Sequence, residues 1–212
     1  MPTEPVLIVG SGGHAKVVID ALRALGYADA QLFVVDDDPA RHGYTILGIV
    51  VRAPSAGLLI AGGWFHVAIG DCAARARAAL SLRSASLRAL SVVHPGARIA
   101  GSARLAGGSF VAAGAILGPD AALEDDCIVN HNAVVDHDCR IGPSCHVAPG
   151  ATLGGDVSLG ARVLVGAGAS ILPGLHLGDD CILGAGAVLL DNLPQCCTAV
   201  GVPALPLART QQ

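Results

Sequence analysis

From residue 93 onward an aliphatic side chain recurs every six positions, and that period leaves few folds open. The column runs Val93, Ile99, Leu105, Val111, Leu117, Leu123, Val129, Val135, Ile141, Val147, Leu153, Leu159, Val165, Ile171, Leu177, Leu183 and Leu189, without a slip. Four positions after each member sits a mostly small residue, among them Ala97, Ala103, Ser109, Ala115, Cys127, Ala133 and Ala187. Neither the 3.6-residue turn of a helix nor the two-residue alternation of an ordinary strand has this repeat. Hexapeptide periodicity reads as a parallel β-helix, in which three hexads close one triangular coil of about 18 residues. The repeat predicts a little over five such coils, and at ~4.8 Å between stacked strands the prism stands roughly 25 Å tall. The aliphatics point inward from the flat faces, the small residues fit near the corners, and Gly, Asp and Asn take the turns.

Composition agrees with so thin a core. Hydrophobic residues make up 52% of the chain, yet aromatics only 3%, with a single Met and 28 Gly. A mean hydropathy of +0.59 raises the question of a membrane span. The longest charge-free stretches, among them 53–70, 105–119, 163–178 and 192–208, are 15 to 18 residues long and broken by Gly or Pro. A spanning helix needs about 20 apolar residues, so no transmembrane segment is predicted. The net charge is −4, Lys16 is the only lysine, and no basic run exists, which argues against nucleic-acid binding. The N-terminus shows no basic region followed by an apolar segment, so no secretion signal is expected. Seven cysteines form no CxxC pair, and Cys127, Cys139, Cys145 and Cys181 fall in the small-residue slot. They read as buried small hydrophobes in a reduced, cytoplasmic protein.

Ahead of the repeat, residues 1–88 form a separate unit. The apolar run PVLIVG leads into Gly10-Ser11-Gly12-Gly13-His14-Ala15-Lys16, and a helical pattern follows with Val17, Val18, Ala21, Leu22 and Leu25 on one face. Gly26 is the expected stop, and Leu32-Phe33-Val34-Val35 then meets the acids Asp36, Asp37 and Asp38. Strand, glycine turn, helix, strand and acid is the dinucleotide fingerprint. Further strands are expected at Thr45–Val51 and His66–Gly70, with a helix around Ala73–Leu82. That is one mononucleotide-binding half, which suits a nucleotide diphosphate at a helix N-terminus better than a nicotinamide dehydrogenase.

The most polar stretch of the prism is Asn130-His131-Asn132-Ala133-Val134-Val135-Asp136-His137-Asp138-Cys139. A histidine beside carboxylates can be held in one tautomer and made more basic, as general-base chemistry requires. For a lone histidine a solvated turn would be the simpler reading; the cluster of His137, Asp138 and His146 within half a coil favours function. A zinc site lacks a Cys pair and a regular ligand spacing, and no metal is expected.

The motifs NHNAVVDHDCRIGPSCHVAPGATLGGDV…LGAGAVLLDN, GSGGHAKVV…VVDDD and AVGVPA together resemble the bacterial nucleotide-sugar N-acetyltransferases of the PglD type, with NeuD-type sialic acid O-acetyltransferases as cousins. The resemblance spans nearly the whole chain. It implies that the 89–212 unit is a left-handed β-helix that binds acetyl-coenzyme A, behind an N-terminal half-Rossmann α/β domain for the nucleotide sugar. By position it makes His137 the general base and Asp138 the acid that polarises it. It places His146 by the thioester, and Ala167 and Ala185 along the coenzyme groove. Gly12, Gly13 and His14 would cradle the diphosphate, Asp36 and Asp37 would hold the base or ribose, and Gly70 would back the pocket. Two departures stand out: Leu205 occupies a place where relatives often carry Lys or Arg, and Cys72-Ala73-Ala74 lacks the polar residues some relatives have there.

The resemblance therefore implies an acetyl-CoA-dependent acyltransferase acting on a UDP- or GDP-linked 4-amino-4,6-dideoxy sugar in polysaccharide biosynthesis, as a homotrimer with composite sites. Alternatives are O-acetylation of a sialic acid or related glycan, a non-catalytic nucleotide-sugar-binding β-helix, and a metal protein like the hexapeptide carbonic anhydrases.

Overall fold

A computed structural model describes residues 4–54 and 63–207. At the centre of the N-terminal sheet, β1 (Val6–Val9) pairs in parallel with β2 (Leu32–Val35) on one side and β5 (Trp64–Val67) on the other. Outside β2 lies β4 (Ile49–Arg52), paired antiparallel with β3 (Thr45–Ile46); outside β5 lies β6 (Arg88–Ala89). The order β3-β4-β2-β1-β5-β6 fans out from β1, as a single mononucleotide-binding half does. Helix α1 (Gly13–Ala24) buries Ala15, Val18, Ile19, Ala21 and Leu22. It ends as expected where Gly26 takes a φ of +90°, which a side chain would resist.

Three boundaries differ from the sequence expectation. The strand expected over Thr45–Val51 is instead the hairpin β3–β4, turning at Leu47 and Gly48, both at positive φ. The strand predicted to reach Gly70 ends at Val67, and α2 (Cys72–Ser84) begins on Asp71, whose side chain accepts from the Ala74 amide at 2.7 Å. The Ala68 amide still donates to the Val9 carbonyl at 2.7 Å, and residues 68–70 between strand and cap form the wall of a pocket.

The second unit is the parallel β-helix expected from the hexads, and its repeats fit the left-handed form that the resemblance implies. Its three faces carry eight, six and five strands. Strand residues pair with the one 18 positions on until the last coil, where Ile182 pairs with Thr198; along the first face Phe110 stacks on Ile128, and Ile128 on His146. From Val111 to Leu189 every aliphatic of the six-residue column is buried. At the open lower end Ile99 is 38% exposed, because no coil lies beneath it. The corner residues Asp120, Asp126, Asn132, Asp138, Asp156 and Asp180 have positive φ, a conformation that short Asx side chains tolerate. The four slot cysteines are buried, and their thiols donate to the carbonyls of Gly142, Gly154, Gly160 and Pro194 at 2.9–3.2 Å. Burial raises the Cys127 thiol to about 12, so these groups pack and do not react.

The N-terminal domain docks on the first face, where Phe110, Ala112 and Ile128 share one apolar cluster with α1. Helix α2 contributes a charge to the join. Arg75 is 1% exposed, and its guanidinium donates to the carbonyls of Asp126, Ser144 and Cys145 on the prism at 2.7–3.1 Å. It also donates to Ile69 and Gly70 in the N-terminal domain at 2.8 and 2.9 Å. A buried cation is tolerated only when its donors are satisfied, and here one side chain satisfies carbonyls of both units. Replacing it leaves those acceptors buried and unpaired. Arg75→Met is expected to cost about 3 kcal/mol or more in a denaturant titration; a loss below about 1 kcal/mol would show that water or neighbouring groups take over its role.

Candidate active site

Between the C-terminal ends of β1 and β2 and the bend at 68–70 lies a cavity of about 610 Å³. It is lined by the Gly10–His14 turn, by Asp36, Asp37 and Asp38, and by Ile69 and Gly70. The N-terminus of α1 opens into it, and Gly12 and Gly13 have open space where a Cβ would stand. Bare backbone at a helix N-terminus is suited to an anion. Gly10 is required for another reason: at φ +102° its Cβ would meet Ile69 Cγ1 at 2.8 Å, so the turn and the wall can close only around glycine.

The sequence placed Asp36 and Asp37 together, but the structure separates their surroundings. Asp36 Oδ2 accepts from the Ser11 amide at 2.8 Å and from the Ser11 hydroxyl at 2.6 Å, while Oδ1 accepts from the Asp38 amide. Burial raises its pKa, and these hydrogen bonds more than offset that, leaving the carboxyl below the ordinary range. Asp36 thus ties the glycine turn to the end of β2. Asp37 lines the cavity as well.

The cavity meets the prism through histidines. The His14 ring stands edge-on to Phe110, with centroids 5.1 Å apart, and 6.3 Å from His146. His146 Nδ1 lies 3.2 Å from the Gly70 carbonyl, and its Nε2 lies 3.2 Å from the Asn130 amide nitrogen. The tautomer that satisfies both has Nδ1–H donating to Gly70 and Nε2 accepting from Asn130. Both nitrogens of His146 are therefore engaged within the chain. Buried His66 lies at 6.0 Å from Phe110 and pairs through Nδ1 with the Leu90 carbonyl. Burial first, then nearby positive groups, pushes His14 down to about 3 and His146 to about 4; burial likewise takes His66 to about 4.

His137 lies elsewhere. It occupies the corner between the second and third faces, after Val134–Val135 and before Arg140–Ile141, whereas His146 begins a strand of the first face. Nine residues are half of an 18-residue coil, so the closeness of His137 and His146 in sequence becomes a placement on opposite sides of the prism. His137 Nδ1 is 2.8 Å from Asp138 Oδ2, and the positive φ of Asp138 turns its carboxylate back to the ring. With Nδ1–H given to Asp138, Nε2 carries the free lone pair. The hydrogen bond to Asp138, then the charge of Asp136, raises the His137 pKa above its ordinary value. Ala167 and Ala185 stand at the corner between the first and second faces, in one column with His131.

Comparison with known proteins identifies both units of the chain. Residues 5–82 match the PglD N-terminal domain, 120–155 the bacterial transferase hexapeptide (six repeats), and 156–191 the hexapeptide repeat of succinyl-transferase. Structurally the chain is similar to PerB from Caulobacter crescentus, in complex with CoA and GDP-perosamine. The two share 38% identity over 98% of this chain and 99% of that one, at a TM-score of 0.89. The chain belongs to the PglD-type nucleotide-sugar N-acetyltransferases. It is also similar to the acetyltransferase domain of PglB from Neisseria gonorrhoeae in complex with acetyl coenzyme A, at 31% identity over 97% and 100% of the two chains and a TM-score of 0.88. A shorter likeness, 40% over 48 residues, links it to the serine acetyltransferase of Synechococcus elongatus, of whose length the match spans 20%. This PglD-type chain is accordingly an acyltransferase that uses acetyl-CoA.

Arg75, Asn130 and His66 escaped the sequence reading. Asn130 lies in the most polar stretch of the prism, but only the coil geometry brings it to His146. Arg75 is one of three arginines on α2 and carries no signal that separates it from Arg77 or Arg83.

The three buried histidines set a pH limit. Their folded values lie below the unfolded value of 6.5, so the stability they give is full above pH 6.5 and lost as pH falls toward 4. The thermal midpoint should be flat from pH 8 to 7 and fall steadily below 6.5, less steeply in His66→Phe. A midpoint unchanged down to pH 4 would contradict their burial as neutral rings.

Proposed function

We propose that the enzyme acetylates the amino group of a nucleotide-linked 4-amino-4,6-dideoxy sugar, with His137 as general base. The observation that carries this reading is the His137–Asp138 pair, which leaves Nε2 as a free base on an exposed corner. The sugar nitrogen attacks the thioester carbonyl, and the C–N bond forms as the C–S bond breaks. The proton shed by nitrogen passes to Nε2 and on to the coenzyme A sulfur, while Asp138 stabilises the imidazolium between the two transfers. GDP is favoured as carrier by the likeness to PerB, which was crystallised with GDP-perosamine. Gly12, Gly13 and His14 would hold the diphosphate and Asp37 the base or ribose, with Asp36 shaping the turn and Gly70 the wall. His146, with both nitrogens occupied, would meet the acetyl-CoA end of the site through its ring.

Within one chain the parts do not meet. The pocket opens beside the first face, and His137 occupies the corner opposite that face. The second face lies between the His137 corner and the Ala167–Ala185 corner, and its flank exposes Ile116, Leu172 and Leu190 by 39–46%. Covering that face with a second copy, in a closed homotrimer, would bring one chain's His137 to its neighbour's pocket and make the intervening groove the coenzyme site. Among the described residues no helix is long and apolar enough to cross a membrane. A cytoplasmic role, supplying an acetylated nucleotide sugar for polysaccharide biosynthesis, fits this chemistry.

Mass spectrometry of products from acetyl-CoA with GDP- and UDP-linked 4-amino sugars tests the reading. His137→Ala should lose about 10²- to 10⁴-fold in kcat. Because the base must be neutral and its pKa is raised by Asp138, activity falls as pH drops through that raised value. Asp138→Asn should move this acid limb to lower pH. A loss under about tenfold in His137→Ala would place the base elsewhere.

A further inference from the structure

The residue one coil beyond His137 is Gly155, and no backbone requirement explains the glycine. Its φ is not positive, unlike those of Gly150, Gly168, Gly174 and Gly186. The equivalent first corner position carries a Cβ in most coils, as Pro143, Pro149, Ala161, Ala167, Pro173 and Ala185. What distinguishes 155 is its neighbour: a Cβ built there would fall well under 3.0 Å from Cε1 and Nε2 of the His137 ring, and the three nearest atoms all belong to that ring.

We propose that Gly155 is a positioning residue for acetyl transfer, left bare so that the His137 imidazole can lie across the next coil while its Nδ1 stays on Asp138. This rests on the reading of His137 as the base. The ring is then fixed by two contacts at right angles to each other in purpose: Asp138 sets its tautomer and the flat Cα of residue 155 sets its tilt. His137 is more than half exposed, so the fold can accommodate an added methyl by letting the imidazole swing outward. The chemistry cannot, because the lone pair on Nε2 leaves its place and the hydrogen bond to Asp138 breaks.

A double-mutant cycle with full-length protein tests this. Gly155→Ala should lower kcat by about tenfold or more with both KM values within about twofold, and shift the acid limb of the kcat profile to lower pH. On a His137→Ala background the same methyl has no ring to meet, and it should change kcat and thermal midpoint little. Equal effects of Gly155→Ala on both backgrounds would overturn the proposal, as would wild-type kcat in the single variant. If Gly155→Ala does not fold but the double variant does, the ring is still identified as the obstacle; if neither folds, the requirement for glycine lies elsewhere. Should His137→Ala keep activity within tenfold, the base assignment falls, and the positioning role of Gly155 falls with it; a large loss in His137→Ala with wild-type kcat in Gly155→Ala overturns the positioning role alone.

Discussion

Stacking at an 18-residue interval is the constraint on which everything else in this molecule depends. Parallel strands of the prism hydrogen-bond residue i to residue i + 18, so any side chain on a corner or face has its neighbours chosen by arithmetic. A hexad spacing of aliphatics fills the interior with no help from aromatics, and the small slot between them lets the corners close. The same register stacks Gly155 beside His137 and sets Ala167 and Ala185 in one column with His131. Faces and corners are therefore a coordinate system, and the chemistry is distributed on it.

Onto one face of that frame the nucleotide domain is fastened by a buried cation and a set of neutral histidines. Arg75 donates to carbonyls on both units, and one of them, Gly70, also pairs with His146. The pocket wall at 68–70 is thereby held by the prism as much as by its own domain. Arg83 adds an ion pair to Asp126 at 2.6 Å across the join, and around Phe110 the contact is made by backbone carbonyls and neutral rings, so its strength depends on those histidines staying uncharged. His137 stands away from this join, exposed and beside three acids, where the opposite pKa shift is obtained. One fold thus keeps some imidazoles neutral as packing and makes another more basic.

Much of this was legible in the sequence. The hexads gave the interior of the prism residue by residue, and the glycine turn with its acids marked the pocket. Other features depended on where the chain returns in space. Nothing in Asp36-Asp37-Asp38 says which carboxylate turns inward to Ser11. The arginines of α2 look alike until Arg83 is seen to pair with the Asp126 carboxylate of the prism and Arg75 to sink wholly among carbonyls of both units. His137 and His146 look like one cluster because nine residues separate them, yet half a coil places them on opposite sides. Gly154-Gly155 reads as an ordinary loop pair until the ring one coil earlier is drawn in.

The central claim is that the pocket of one chain works with His137 of another. Mixing His137→Ala protomers with protomers whose pocket is blocked at Gly13, each inactive alone, tests it directly after dissociation and reassembly. The account predicts that activity returns, up to about a quarter of the wild-type sites for random mixing in a closed ring. Mixtures as inactive as their parents, with assembly verified, would contradict it and place the base and the nucleotide sugar within a single chain.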